Sequence, residues 1–113
     1  MDARRTFDGK VAVVTGAGQG IGEAYAKGLA GRGAHLAIAD LDTEQAERVA
    51  GEIAAVGGSA LAVPVDVADP ASAGAMAATV VEAFGGIDHL VNNAAIYGGM
   101  QIESLLKVDL DYY

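Results

Sequence analysis

Val11-Ala12-Val13-Val14-Thr15-Gly16-Ala17-Gly18-Gln19-Gly20-Ile21-Gly22-Glu23 is the stretch that decides the fold. Its first five residues form an apolar, β-branched run with no polar face, the pattern of a strand buried on both sides. Glycine then takes every second position from Gly16 to Gly22. Such a segment can turn tightly and bring its backbone close to a bound group. A helical pattern follows, so the turn stands at a helix N-terminus, where free N–H groups and a partial positive charge favour an anion such as a pyrophosphate. A glycine-rich turn alone says little; the strand before it and the helix after it give it weight.

The same alternation continues along the chain. His35–Asp40, Ala60–Val65 and His89–Asn92 are further short apolar runs and are predicted strands. Helical stripes lie between them. The first carries Ile21, Ala24, Tyr25, Gly28 and Leu29 on one face, the second Ala46, Val49, Ala50 and Ile53. The third carries Ala73, Met76, Ala77, Val80, Val81 and Phe84. Asp69 before Pro70 reads as an N-cap with proline at the first helical position. Asp42 with Gln45 resembles a capping box. Gly57–Gly58 and Gly85–Gly86 stand where helices should stop. The order βαβαβαβ predicts an α/β fold with a parallel sheet and right-handed crossovers.

The 113 residues suffice for one domain, here 1–113. With 52% apolar residues, disorder is excluded as an expectation. The formal charge of −8 disfavours nucleic acid and anionic membrane surfaces as partners. There is no cysteine for a disulfide or a thiolate metal site. Arg4 and Arg5 precede no long apolar run, and Val11–Val14 is too short for a signal or a membrane span, so a cytoplasmic protein is expected. Asp109 reads as one more N-cap, with Leu110–Tyr113 as a first helical turn. A helix that stops after one turn gains little from nucleation, and an apolar fourth strand would leave an open edge. Both features predict a domain truncated at its C-terminal end.

The strict G-x-G-x-x-G spacing is not met: counted from Gly16 its last position is Ile21, and from Gly18 it is Glu23. The spacing that fits is T-G-x-x-x-G-x-G, with Thr15, Gly16, Gly20 and Gly22. At this point the chain resembles the short-chain dehydrogenase/reductase family. Three further features follow in that family's order. Asp40 ends strand two, about 20 residues past the loop, where an acid can accept hydrogen bonds from ribose hydroxyls. Asp66-Val67 ends strand three, where the family sets an aspartate against the adenine amino group. Asn92-Asn93-Ala94-Ala95 is similar to the family's Asn-Asn-Ala-Gly segment, with Ala95 in place of glycine. The resemblance implies a Rossmann-type, doubly wound sheet in the order 3-2-1-4, partial because the C-terminal strands are missing. It implies cofactor contacts from Gly16, Gln19, Gly20, Ile21, Gly22, Asp40, Leu41, Asp66, Val67, Asn93, Ala94 and Ala95. A 2′-phosphate would meet the Asp40 carboxylate, with no positive charge at Leu41 or Gln19 to offset it, so NAD is expected rather than NADP.

What the resemblance implies chemically is hydride transfer between nicotinamide and an alcohol or carbonyl substrate, with a Tyr-x-x-x-Lys pair as acid/base. That pair is not in this chain. Tyr25 is followed by Lys27, Tyr97 by Gln101, and Tyr112 and Tyr113 by nothing; Ser104 comes too early for the family's serine. The expectation is therefore an NAD-dependent oxidoreductase represented by its cofactor-binding half, inactive alone and homo-oligomeric at full length. Two alternatives stand beside it: a non-catalytic dinucleotide-binding module, and an S-adenosylmethionine-dependent methyltransferase. The remaining candidates read as structure. His35 and His89 open strands and have no second ligand at metal spacing. Glu44, Glu47, Arg48 and Glu52 form a solvated helix face with a Glu44–Arg48 pair. Tyr97, Gly98 and Gly99 follow strand four on the side of the ligand crevice.

Overall fold

A computed structural model describes residues 6–93. Short apolar runs form the strands and the helical stripes between them form helices, two of the three with side-chain N-caps. The elements are β1 (Val11–Thr15), α1 (Gly20–Gly31), β2 (His35–Asp40), α2 (Thr43–Ala55), β3 (Ser59–Pro64), α3 (Pro70–Phe84) and β4 (His89–Asn92). The strands form one parallel sheet in the order β3-β2-β1-β4. Sheet order reverses between β1 and β4, where an open parallel sheet leaves a crevice at its C-terminal edge.

The central strands split their side chains between two cores, as a period of two requires. Ala12, Val14, Leu36 and Ile38 join Ala26 of α1 and Ala46, Val49 and Ile53 of α2. Val11, Val13, Ala37 and Ala39 join Val63, Val65, Met76 and Val80 on the α3 side. Helices therefore cover both faces, and β1 is buried throughout. β4 is not: Leu90 is 50% exposed.

Several expectations shift. β3 pairs one residue earlier than predicted, Ser59 to Pro64 against β2. Pro64 is tolerated because it ends an edge strand, and Val65 donates the next bond to the Asp40 carbonyl at 3.2 Å. Of the α1 stripe, only Leu29 packs against the core; the rest lies on the outer face. Gly22 and Ala26 are buried, whereas Ile21 is 70% and Tyr25 54% exposed. On α3 Val81 also turns outward, while Met76 and Val80 are buried as expected.

The caps hold α2 and α3 in place. Asp69 Oδ1 accepts from Ala71 N at 3.0 Å, with Pro70 at the first turn. Asp42 Oδ1 accepts from Gln45 N at 3.2 Å. This is half of a capping box. The Gln45 side chain turns to Arg48, and Asp42 N donates instead to Asp40 Oδ1 at 2.9 Å. Among the described residues no helix is long and apolar enough to cross a membrane.

Candidate functional site

Parallel strands bring their C-terminal ends to one edge, so Thr15, Asp40, Pro64 and Asn92 end together. Thr15 stitches the middle of that edge. It is buried, its Oγ1 donates to Asn92 Oδ1 at 3.0 Å, and it accepts from Asn93 N at 3.0 Å. The glycine loop begins directly after it. Asn93 Nδ2 reaches back toward the Gly16 carbonyl at 3.5 Å. Gly22, in the first turn of α1, packs into the same spot. A Cβ there would overlap the Gly16 carbonyl oxygen and come within 2.6 Å of Asn93 Nδ2. The loop, the start of α1 and the end of β4 thus form one close-packed unit that only glycine permits.

Gly20 adopts φ +61°, which lets the chain turn from the loop into α1. The N-cap, Gln19, is extended and gives no side-chain bond to the helix. The first helical bond of this turn runs from Glu23 N to the Gln19 carbonyl at 3.3 Å. The N–H groups of Gly20, Ile21 and Gly22 precede it and have no intrahelical acceptor. They form an array of donors at the positive end of α1.

On the other side of the loop, Asp40 is half-buried at the end of β2. Its Oδ2 accepts from Gly18 N at 2.8 Å. Leu41 beside it is 74% exposed. Asp66 and Val67 follow β3, two strands from β1 and so roughly 10 Å away at the usual strand spacing. Asp66 is exposed, its Oδ1 takes Ala68 N at 3.0 Å, and its own N–H donates to Ser72 Oγ at 2.8 Å. Of the expected site residues, Gly16, Gln19, Gly20, Ile21, Gly22, Asp40 and Asn93 gather around the loop. Leu41, Asp66 and Val67 extend the same edge toward β3. Ala94 and Ala95 lie outside the described residues, as do the expectations placed on Tyr97–Gly99, Ser104 and Asp109–Tyr113.

Sequence reasoning missed the charge beside the loop. Arg48 does not pair with Glu44. It reaches across to α1, binding Glu23 at 2.8 Å and Glu52 at 2.8 Å, and Lys27 closes the ring at 2.7 Å from Glu23 and 2.8 Å from Glu52. The Arg48 hydrogen bond, then that of Lys27, holds the Glu23 carboxyl down at about 2. Glu52 is lowered and Lys27 raised by the same contacts. A signal existed: Glu23/Lys27 and Arg48/Glu52 are i, i+4 pairs of opposite polarity on consecutive helices, which a βαβαβ order sets side by side. Gly18 was also missed as a contact. It is buried, and a side chain there would meet Asp40 Oδ2 at 2.8 Å and Gln45 Cβ at 2.9 Å.

The histidines are structural. His35 Nδ1 lies 2.9 Å from Ser59 Oγ and its ring stacks on Phe84, while His89 meets Phe7 edge to face. Among the described residues no three His, Cys, Asp or Glu groups gather as a metal site. A cleft of about 1000 Å³ opens at the opposite end of the sheet, among Gly33, His35, Val56 and Ser59, away from the loop.

Residues 10–112 match the short chain dehydrogenase family. The chain belongs to the short chain dehydrogenase family. An uncharacterised oxidoreductase of Mycobacterium tuberculosis is 61% identical over 107 residues, which is 95% of this chain and 43% of that protein. A hydroxysteroid dehydrogenase from Escherichia coli superposes with a TM-score of 0.82 at 33% identity, over 94% of this chain and 47% of its own. A short chain dehydrogenase/reductase from Burkholderia phymatum, in complex with NAD, gives 0.72 at 42% identity, over 74% and 30%. This short chain dehydrogenase sequence therefore spans under half the length of each of these three proteins. Its parallel sheet, in the order β3-β2-β1-β4, is Rossmann-like.

Proposed function

We propose that this short chain dehydrogenase sequence is the NAD-binding part of an oxidoreductase that moves hydride between nicotinamide and an alcohol or carbonyl carbon. The observation that carries the reading is the pairing of two features on one loop. Donor N–H groups at Gly20, Ile21 and Gly22 open α1, and the Asp40 carboxylate stands against Gly18 at 2.8 Å. The first suits a pyrophosphate, the second a ribose diol. Fit is also steric: with no side chain at Gly22, the start of α1 rests directly on the Gly16 carbonyl and the Asn93 amide, which brings its N–H groups close against the loop.

In this reading Gly16, Gly20, Ile21 and Gly22 hold the pyrophosphate. Asp40 orients the adenine-side ribose, with Gln19 and Leu41 flanking it. Asp66 and Val67 border the adenine, and Asn93, with Ala94 and Ala95 following, borders the crevice over β4. Bound nicotinamide would supply the hydride acceptor or donor. These 113 residues contain no Tyr-x-x-x-Lys pair to exchange a proton with the substrate oxygen, so this stretch by itself is expected to be inactive. The intact protein works in the cytoplasm as a homo-oligomer.

Asp40 supports NAD over NADP by its remaining capacity. Each carboxylate oxygen has one backbone donor, from Gly18 and Asp42, and each can accept one more. Two ribose hydroxyls fit that vacancy; a 2′-phosphate brings a second anion to it. Calorimetric titration of the full-length protein is expected to show NAD binding at least about tenfold tighter than NADP, about 1.4 kcal/mol. Asp40→Ser should close most of that gap. NADP binding as tightly as NAD in the unmodified protein would overturn the assignment.

A further inference from the structure

The glycine loop is gripped at one residue from two sides. Gly18 N donates to Asp40 at the end of β2, and the Gly18 carbonyl accepts from Arg48 Nη2 of α2 at 3.0 Å. Arg48 has no donor left over. Its Nε bonds Gln45 Oε1 at 2.8 Å. Nη1 bonds Glu52 at 2.8 Å and Glu23 at 3.4 Å, and Nη2 bonds Glu23 at 2.8 Å besides Gly18. A guanidinium carries five N–H groups, and these five contacts use them all. A cation so committed is a fixed anchor and not a ready phosphate ligand.

We propose that Arg48 is a positioning residue for dinucleotide binding, holding the Gly18 carbonyl so that the loop enters α1 with its donors correctly aimed. The inference rests on the dinucleotide reading above. The peptide joining Gly18 to Gln19 is planar and trans, so the Gln19 N–H points opposite to the carbonyl that Arg48 holds. Rotating that peptide would re-aim the Gln19 amide and disturb the turn at Gly20. The grip is stiff because its anchor is shared. Glu23 ties the guanidinium to α1 itself, and Gln45 backs both the guanidinium and the wall beside Gly18. Arg48 thereby sets the loop relative to the helix it feeds.

Two substitutions in the full-length protein separate this from a purely structural role. Arg48→Met and Glu52→Gln both remove ion pairs of the same α1–α2 ring, but only Arg48→Met removes the bond to Gly18. Calorimetric titration with NAD is expected to show about tenfold weaker binding for Arg48→Met, about 1.4 kcal/mol. For Glu52→Gln the affinity should stay within about twofold of the unmodified protein, a shift of under about 0.5 kcal/mol. Equal NAD affinity for Arg48→Met and Glu52→Gln would overturn the proposal, leaving the ring a helix–helix tie only. If Arg48→Met does not fold, Arg48→Lys decides. An ammonium cannot serve Gly18, Glu23 and Glu52 in one plane, so affinity unchanged in Arg48→Lys would also overturn it. Failure of the unmodified protein to bind NAD or NADP is a different result: it removes the dinucleotide reading, and this inference with it.

Discussion

Helices α1 and α2 lie on the same face of the sheet and join the same core, yet they seat by opposite means. α2 buries Val49 and Ile53, large side chains at helical spacing, and keeps its charges outside. α1 buries Gly22 and Ala26 and turns Ile21 and Tyr25 to the surface. One helix is held by what its side chains fill, the other by how little they fill. The difference has a steric root. The start of α1 must come close enough to the glycine loop for Gly22 to rest on Gly16 and Asn93, and a large buried side chain there would push the helix away. A hydrophobicity stripe therefore identifies the buried face of α2, whereas on α1 only its Leu29 reaches the core.

The largest effects should come from reversing these two modes. Ile53→Ala removes a side chain 2% exposed from the α2 contact and is expected to cost about 2–5 kcal/mol in urea unfolding. Gly22→Ala should destabilise by about 1–3 kcal/mol, because the new methyl meets backbone that cannot swing aside. The control is Gly51→Ala on α2, where a Cβ meets nothing within 4 Å. That change should stabilise by about 0.5–1 kcal/mol, the ordinary gain for a helical glycine. If Gly22→Ala also stabilises, α1 does not seat by close approach.

The sequence made the strands and most caps legible because local rules decide them. β1, β2 and β4 fall where apolar runs predict, and Asp42 and Asp69 cap as short acidic side chains do. The 3-2-1-4 order came from resemblance, and the structure carries it. The grouping of the candidate site was legible where chain order matters: the loop lies against both Asp40 and Asn93. It was not legible where partners are distant in sequence. Glu44 and Arg48 satisfy an i, i+4 rule, but Arg48 finds Glu23, 25 residues away, because α1 lies alongside α2. The outer face of α1 fails for a different reason. With Ala, Gly, Ile, Leu and Tyr distributed around twelve residues, hydrophobicity offers two faces, and steric closeness chooses between them.

The ring joining α1 to α2 gives a smaller, pH-dependent test of the same contact. Glu23 titrates at about 2 when folded, below the ordinary 4.5 of an unpaired glutamate. A lowered folded value means the contribution is complete above about 4.5 and is lost as pH falls toward about 2. Urea midpoints measured across that window should decline, and Glu23→Gln should flatten the part of the decline that belongs to this residue. The amplitude should be modest and shrink in high salt, because both cations are substantially exposed. A decline unchanged by Glu23→Gln would mean the ring does not couple the two helices.

The smallest effect concerns the face that α1 shows outward. Ile21, Ala24, Tyr25 and Gly28 form, with Phe7 and Leu29, an apolar patch on the described surface. Tyr25 is more than half exposed and gives up little when truncated, so Tyr25→Ala in the 113-residue chain should shift stability by less than about 0.5 kcal/mol. The same change in a protein of the relatives' full length asks a separate question, because this chain covers 43% of the Mycobacterium tuberculosis relative. A cost of about 3 kcal/mol there, the scale of a buried aromatic, would mean that further sequence covers the face. In that case the stripe predicted from hydrophobicity is a real interface, and α1 carries two: a close one of glycine and alanine toward the sheet, and a bulky one toward chain that lies outside these 113 residues.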